Sequence, residues 1–190
     1  MQWRFNQHPN LAGLHATFSP SQSSWLRYDD DKILEVYANK KAAERGTRLH
    51  AWAKETIDLG IKQPRSNKTL YAYVNDAIGF RMETEVVLFY SPHYFGTADA
   101  ISFRDGVLRI HDLKTGKVGK IETHLEQLEV YAALFCLEYD IKPSAIEMEL
   151  RVYKLDEVVR HCPLAEDIET IMEIIVHGDK LLTENERKEG

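Results

Sequence analysis

The sequence predicts an α/β fold, a central mixed sheet flanked by helices. Three observations carry that expectation. Helix-periodic stretches occupy residues 20–78, and the residues from Arg81 to Leu113 are crowded with β-branched and aromatic side chains. A strongly periodic helix and a second alternating segment then follow, before a closing helix. Helices, three strands, a helix, two strands and a helix in that order predict a sandwich around one sheet.

Each element has a local reason. Met1 to Ser19 is aperiodic and is expected to be a partly ordered arm. Ser19 stands as an N-cap before Pro20, so a helix is expected through about Tyr28. Asp29 to Gly60 is helical in pattern, with a break expected near Gly46. Within it Leu49, Trp52, Ala53, Thr56 and Ile57 form one stripe, and Gly60 is placed to cap the C-terminus. Lys62 to Lys68, with Pro64, reads as a loop, and Thr69 to Ile78 as a short helix. Strands are expected at Arg81–Tyr90, Phe95–Phe103 and Val107–Leu113, with Arg104-Asp105-Gly106 as a tight hairpin turn. Glu122 to Tyr139 is the periodic helix, ended by Lys142-Pro143-Ser144. Ala145 to Lys154 alternates as a strand that Glu157 to Cys162 can pair with. Pro163 to about Glu186 closes the chain as a helix, acidic at its start as the helix dipole favours.

The 190 residues fit a single domain, with residues 1–18 as an arm and 163–190 as an acidic C-terminal helix. No run of apolar residues is long enough to span a membrane. Met1-Gln2-Trp3-Arg4-Phe5 has no apolar signal-peptide core. Cys136 and Cys162 make no disulfide framework and no C-x-x-C. A reducing, cytoplasmic setting is therefore expected.

The formal net charge of −6 argues against a nucleic-acid binder until its distribution is considered. Residues 155–190 hold 10 acids and 4 bases, so the whole excess lies there. The remainder balances 20 against 20 and contains basic clusters: Lys40, Lys41, Arg45 and Arg48; Lys62, Arg65 and Lys68; Lys114, Lys117 and Lys120. A neutral body with such clusters can hold a phosphate backbone, above all if a metal adds positive charge. Each cluster alone also reads as a solvated face.

Three polar groups stand where a sheet core should have none. Asp99 interrupts Gly96-Thr97-Ala98-Asp99-Ala100-Ile101, and Asp112 and Lys114 close Ile110-His111-Asp112-Leu113-Lys114. Alternation puts Asp112 and Lys114 on one face and Leu113 on the other. A hairpin centred near Asp105-Gly106 makes facing residue numbers sum to about 211, so Asp112 faces Asp99. Two adjacent carboxylates repel and raise each other's pKa. A divalent cation with a taste for hard oxygen ligands, Mg²⁺ or Mn²⁺, resolves that cost. Taken singly, Asp112 and Lys114 read as a strand-end salt bridge.

Asp99 followed by Asp112-Leu113-Lys114 resembles the signature of the PD-(D/E)XK nucleases, a restriction-endonuclease-like superfamily with an αβββαβ core. Gly46-Thr47-Arg48-Leu49-His50 is similar to the G-x-x-x-H motif of its RecB-like exonuclease branch, and Gln127-Leu128-Glu129-Val130-Tyr131 to that branch's Q-x-x-x-Y motif. The segments around Asp99 and Asp112, and the opening Phe18-Ser19-Pro20-Ser21, look most like compact phage-encoded members.

The resemblance implies a Mg²⁺- or Mn²⁺-dependent deoxyribonuclease that hydrolyses phosphodiester bonds with a metal-activated water. An exonuclease acting on DNA ends is the first expectation. A structure-selective endonuclease, or a catalytically silent DNA-binding or recombination protein on the same fold, is the alternative. The implied metal ligands are His50, Asp99, Asp112 and the Leu113 carbonyl. Lys114 would hold and polarise the water, with Gln127 and Tyr131 beside it on one helix face. Ser19, Ser21, Lys117 and Lys120 are the implied nucleic-acid contacts. The expected partner is DNA, with a protein partner at the acidic C-terminal helix as a second possibility; for a phage-encoded chain the compartment would be the host cytoplasm.

Other groups carry weaker signals. Two cysteines cannot hold the iron–sulfur cluster of some relatives, and none is expected. Thr115-Gly116-Lys117-Val118 lacks the upstream glycine and the Ser/Thr of a P-loop, so no nucleotide cofactor is expected. Glu83 and Glu85 share a strand face and either reach the metal or face solvent. His111 reads as structural, and His161-Cys162 with His177 lacks zinc spacing. Trp25, Tyr71 and Tyr73 read either as base-stacking groups or as packing.

Overall fold

The computed structural model describes residues 16–116, 121–155 and 157–189. The expected arm over residues 1–15 lies outside them. The chain forms two compact units, Met1–Arg45 and Gly46–Gly190.

In the first unit, Pro20–Arg27 is a 3₁₀ helix, where an ordinary helix was expected. Ser19 holds the capping position with extended backbone but makes no side-chain cap. Its carbonyl accepts instead from the Trp25 indole N–H at 2.9 Å, and Phe18 packs edge-on against that ring. Serines compete for backbone hydrogen bonds, which weakens an α-helical run and leaves the tighter turn. Helix α1, Asp30–Asp58, then starts on a genuine cap, because Asp29 Oδ1 accepts from the Lys32 N–H at 2.8 Å.

The expected break at Gly46 does not occur, since α1 runs through it. In the second unit, a Cβ at Gly46 would lie 2.8 Å from Thr115 Oγ1. The glycine therefore serves close approach between α1 and the end of a strand, and helix propensity yields to packing. Trp52 also departs from the expected stripe: it is exposed, while Ala53, Thr56 and Ile57 are buried. Gly60, at φ +67°, ends the helix as expected, with the Ile61 N–H reaching back to the Thr56 carbonyl.

Helix α2 spans Thr69–Gly79, and the strands are β1 (Glu83–Ser91), β2 (Tyr94–Arg104) and β3 (Val107–Lys114). Helix α3 is Ile121–Glu138, followed by β4 (Glu147–Lys154), β5 (Glu157–His161) and α4 (Ala165–Glu189). The sheet order is β1-β2-β3-β4-β5, antiparallel throughout except for the parallel pair β3 and β4. This is an α/β fold with a mixed sheet, as expected. Asp105 and Gly106 both have positive φ, the requirement of a two-residue hairpin turn.

Central strands β3 and β4 are buried on both faces. Leu108, Ile110, Leu150 and Val152 pack under α3 and α4 against Leu128, Ala132 and Ile168. Leu113 and Tyr153 point the other way, to Ala53, Ile57, Tyr73 and Ala77 of α1 and α2. Each fully buried Leu or Ile here contributes roughly 1.5–3 kcal/mol. No helix among the described residues is long and apolar enough to cross a membrane.

One irregularity positions the site. Thr84 bonds Lys54 and Asp58 of α1, whereas Val86 packs with the α3 cluster on the other face. Residues two apart in a strand normally share a face. Between them Glu85 sits at φ +53°, a left-handed conformation rare for a non-glycine residue. The same changeover occurs across the ladder, where Ala98 packs towards α3 and Ala100 towards α2. Asp99 lies at that changeover, and Glu83 and Glu85 are both exposed, the solvent-facing alternative of their reading.

Candidate active site

The β2–β3 ladder runs from Arg104↔Val107 to Ala100↔His111, numbers that sum to 211 as the turn predicts. One step further brings Asp99 to Asp112. There the backbone pairing gives way to a side chain: the Leu113 N–H donates to Asp99 Oδ2 at 3.0 Å. His50, on the second-unit part of α1, places Nδ1 3.5 Å from the same oxygen. Asp99 is 20% exposed, and burial followed by the Asp112 charge pushes its carboxyl up to about 6.

Asp112 is nearly fully buried on the α3 face with Lys114, and Leu113 is on the other, as alternation requires. Lys114 Nζ donates to Asp112 Oδ1 at 2.9 Å and to Gln127 Oε1 at 3.0 Å. The Gln127 amide donates in turn to the Tyr131 hydroxyl at 3.3 Å, which fixes which end of the amide faces the lysine. The Tyr131 ring lies across β2, and a Cβ at Gly96 would meet its Cε1 at 2.8 Å. Gly96 is thus the residue that admits the tyrosine.

The structure brings His50, Asp99, Asp112, Leu113, Lys114, Gln127 and Tyr131 to one end of the sheet. Ser19 and Ser21 belong to the first unit, and Lys117 and Lys120 lie outside the described residues. Tyr73 is buried in the α2 layer, the packing alternative of its reading. Burial and the charges of Asp99, Asp112 and Glu85 hold its phenol far above the usual range, so its hydroxyl belongs to the surroundings of the acids. Trp25 packs against Phe18, and Tyr71 against Trp52 with centroids 6.2 Å apart. His111 is fully buried on the α2 side, as a structural residue should be. His161 pairs with Glu129 at 2.8 Å.

Asp112 Oδ2 is buried and, among the described residues, has no hydrogen-bond partner. A buried carboxylate oxygen without a donor is costly, and an adjacent raised carboxyl adds to the cost. The donor set of two carboxylates and an imidazole fits a hard divalent cation in kind. Among the described residues no three His, Cys, Asp or Glu side chains are yet spaced to hold one.

Sequence reasoning missed two neighbours. Lys154 pairs with Lys114 in the parallel register, and His124 Nε2 lies 3.4 Å from Lys154 Nζ. Neither is visible in a linear motif, because the β3–β4 register follows from packing of the crossover helix.

Residues 75–158 match a family described as a protein of unknown function, DUF2800. The match covers Asp99, Asp112, Lys114, Gln127 and Tyr131 and excludes His50. No curated protein and no solved structure matches the chain.

Proposed function

We propose that the chain is a metal-dependent DNA nuclease of the PD-(D/E)XK superfamily, and within it a RecB-like exonuclease. The observation that carries this reading is the state of Asp112. One oxygen is bonded to Lys114 and the other is buried without a donor among the described residues, beside a second carboxylate with a raised pKa. The order of α1, three strands, α3 and β4 supports the αβββαβ core.

Asp99, Asp112, His50 and the Leu113 carbonyl would hold Mg²⁺ or Mn²⁺. When bound, the cation supplies Lewis-acid charge for the phosphoryl oxygens and lowers the pKa of water. Lys114 has three N–H donors, of which Asp112 and Gln127 take two. The third is available to a water or a phosphate oxygen. Because the ammonium donates and cannot accept, Lys114 orients the water and stabilises the negative charge that develops on it. Gln127 and Tyr131 keep Nζ in place. Phosphodiester hydrolysis then breaks one P–O bond and forms another, with the water oxygen going to the phosphoryl group and a proton to the leaving oxygen.

The test is cleavage of end-labelled linear single-stranded, linear double-stranded and closed circular DNA in EDTA, Mg²⁺ or Mn²⁺, beside Lys114→Met. Metal-dependent loss of linear DNA with circles spared and an inert variant is the expected result. Cutting of circles would make the enzyme an endonuclease. Cleavage that survives Lys114→Met would refute the assigned chemistry.

A further inference from the structure

We propose that His93 is a pH-sensitive latch, which pins the C-terminal half of α4 to the β1–β2 hairpin as an imidazolium and releases it as a neutral ring. The latch stands apart from the candidate active site and is independent of the nuclease reading.

Helix α4 docks by two different means along one face. Ile168, Ile171, Met172 and Ile175 recur at helical spacing and pack into the core cluster with α3. Asp179 follows Ile175 at i+4, and Glu186 follows Asp179 at i+7, so both continue that face. Among the described residues, no residue of α4 after Ile175 is buried. The first half of the attachment is therefore apolar and indifferent to pH, whereas the second half is polar.

The hairpin meets that second half with three side chains. His93, in the turn between β1 and β2, places Nδ1 3.0 Å from Asp179 Oδ1 and Nε2 3.0 Å from Glu186 Oε1. The Ser91 hydroxyl accepts from the His93 N–H at 3.2 Å and donates to Asp179. The Tyr94 hydroxyl lies over Gly178, where a Cβ would run into it.

An ionised carboxylate only accepts, so both ring nitrogens of His93 donate, and only the imidazolium carries two N–H groups. A neutral ring would turn a lone pair towards one of the two carboxylates. Hydrogen bonds to Glu186 and Asp179 raise the His93 pKa above its ordinary 6.5, and those from Ser91 and His93 hold the Asp179 carboxyl below its ordinary 3.8. From α3, Glu138 is engaged by the Phe89 N–H at 2.8 Å. On this stretch of α4, His177, Lys180, Glu184, Arg187 and Lys188 are exposed. Tyr90 and Tyr94 are the other titratable groups at this end of the hairpin.

The docked ring holds its proton more tightly than the released one. The latch is therefore complete below about pH 6.5 and is lost as pH rises through the docked value. Glu186 is 65% exposed, so solvent and salt screen the pair and the change in local opening is about fivefold.

Two measurements on the full chain test the latch. NMR titration of the histidine side chains, with His93 assigned through His93→Gln, should place His93 above 6.5, and Asp179→Asn and Glu186→Gln should each bring it down. Amide hydrogen exchange, corrected for its intrinsic pH dependence, should show the α4 amides beyond Gly178 opening about fivefold more at about pH 8.5 than at about pH 6. Those of Ile168 to Ile175 should not change. His93→Gln should open the same stretch at about pH 6 as much as wild type does at about pH 8.5. Glu186→Gln alters only an exposed side chain, so it tests the latch even if Asp179→Asn disturbs the helix. A His93 that titrates at or below 6.5, a helix end equally protected at both pH values, or a His93→Gln variant as protected as wild type at about pH 6 would overturn the latch.

Discussion

Asp99→Asn should make the metal-free protein more stable, and the gain should depend on pH. Asp99 is four-fifths buried and lies one step beyond the last ladder pair, facing Asp112. Burial and the Asp112 charge raise its pKa from the ordinary 3.8 to about 6, against the opposing pull of the Leu113 N–H, His50 and Lys114. A folded-state value above the unfolded one means the native chain holds this proton more tightly. The penalty is absent below about pH 4, grows between pH 4 and about pH 6, and is complete above that. At 1.36 kcal/mol per pH unit it reaches about 3 kcal/mol. Asparagine keeps a carbonyl oxygen for the Leu113 N–H and removes the charge.

In EDTA near pH 8, Asp99→Asn should therefore melt above wild type by an amount approaching roughly 6–12 °C for a chain of this size. Near pH 4 the two should coincide, because Asp99 is then protonated in both folded and unfolded wild type. Added Mg²⁺ or Mn²⁺ should reverse the order, since a cation that binds only the native state stabilises it by mass action and the variant lacks one ligand. Circular dichroism melts across pH, with and without metal, read all three effects. A variant less stable than wild type near pH 8 in EDTA, or a gap that ignores pH, would refute the repulsion argument.

Gln127→Leu should lower kcat about tenfold with little change in KM, because it frees Lys114 without touching the substrate; steady-state cleavage rates measure the split. His111 is fully buried, and burial followed by Arg151 and Arg109 holds its pKa down to about 3. Its stability contribution is complete above about pH 6.5 and lost as pH falls towards 3, about 2 kcal/mol of it by pH 5. Urea unfolding of His111→Phe near pH 5 and near pH 8 should show a shallower acid loss than wild type. Gly178→Ala would drive a methyl group into the Tyr94 hydroxyl. It should destabilise by about 1–3 kcal/mol, with part of the loss recovered in Gly178→Ala/Tyr94→Phe by thermal melts.

What could be read from the chain was local. Asp105-Gly106 determines a turn, the turn determines a register, and the register brings Asp99 to Asp112 across a sequence gap of only 13 residues. Ser19 failed as a helix cap because its carbonyl, not its hydroxyl, organises the turn through Trp25. Gly46 was read as a helix break because its reason is tertiary: it lets α1 approach Thr115. Lys154 and His124 were invisible for the same cause, since a parallel pairing across α3 leaves no pattern of its own. Nor does any residue type announce that Glu85 adopts positive φ.

Two buried carboxylates on neighbouring strands show why the Asp112 end of the sheet is the candidate site. Glu149 is as buried as a core residue, yet both its oxygens are met: Oε1 by Arg151 at 2.8 Å and Oε2 by Arg160 at 2.6 Å. Arg151 also reaches Asp76 and stacks over Phe80, so the Glu149 charge is met on the α2 face. Such a set of ion pairs compensates a buried carboxylate from within the fold. Asp112 has one oxygen on Lys114 and one on nothing among the described residues, with Asp99 raised beside it and Glu85 held in a left-handed conformation opposite. At the Asp112 end one divalent cation would discharge the repulsion and supply a partner for the second carboxylate oxygen. Two facing carboxylates and a left-handed Glu85 at one strand end are a local cost that the proposed chemistry would account for.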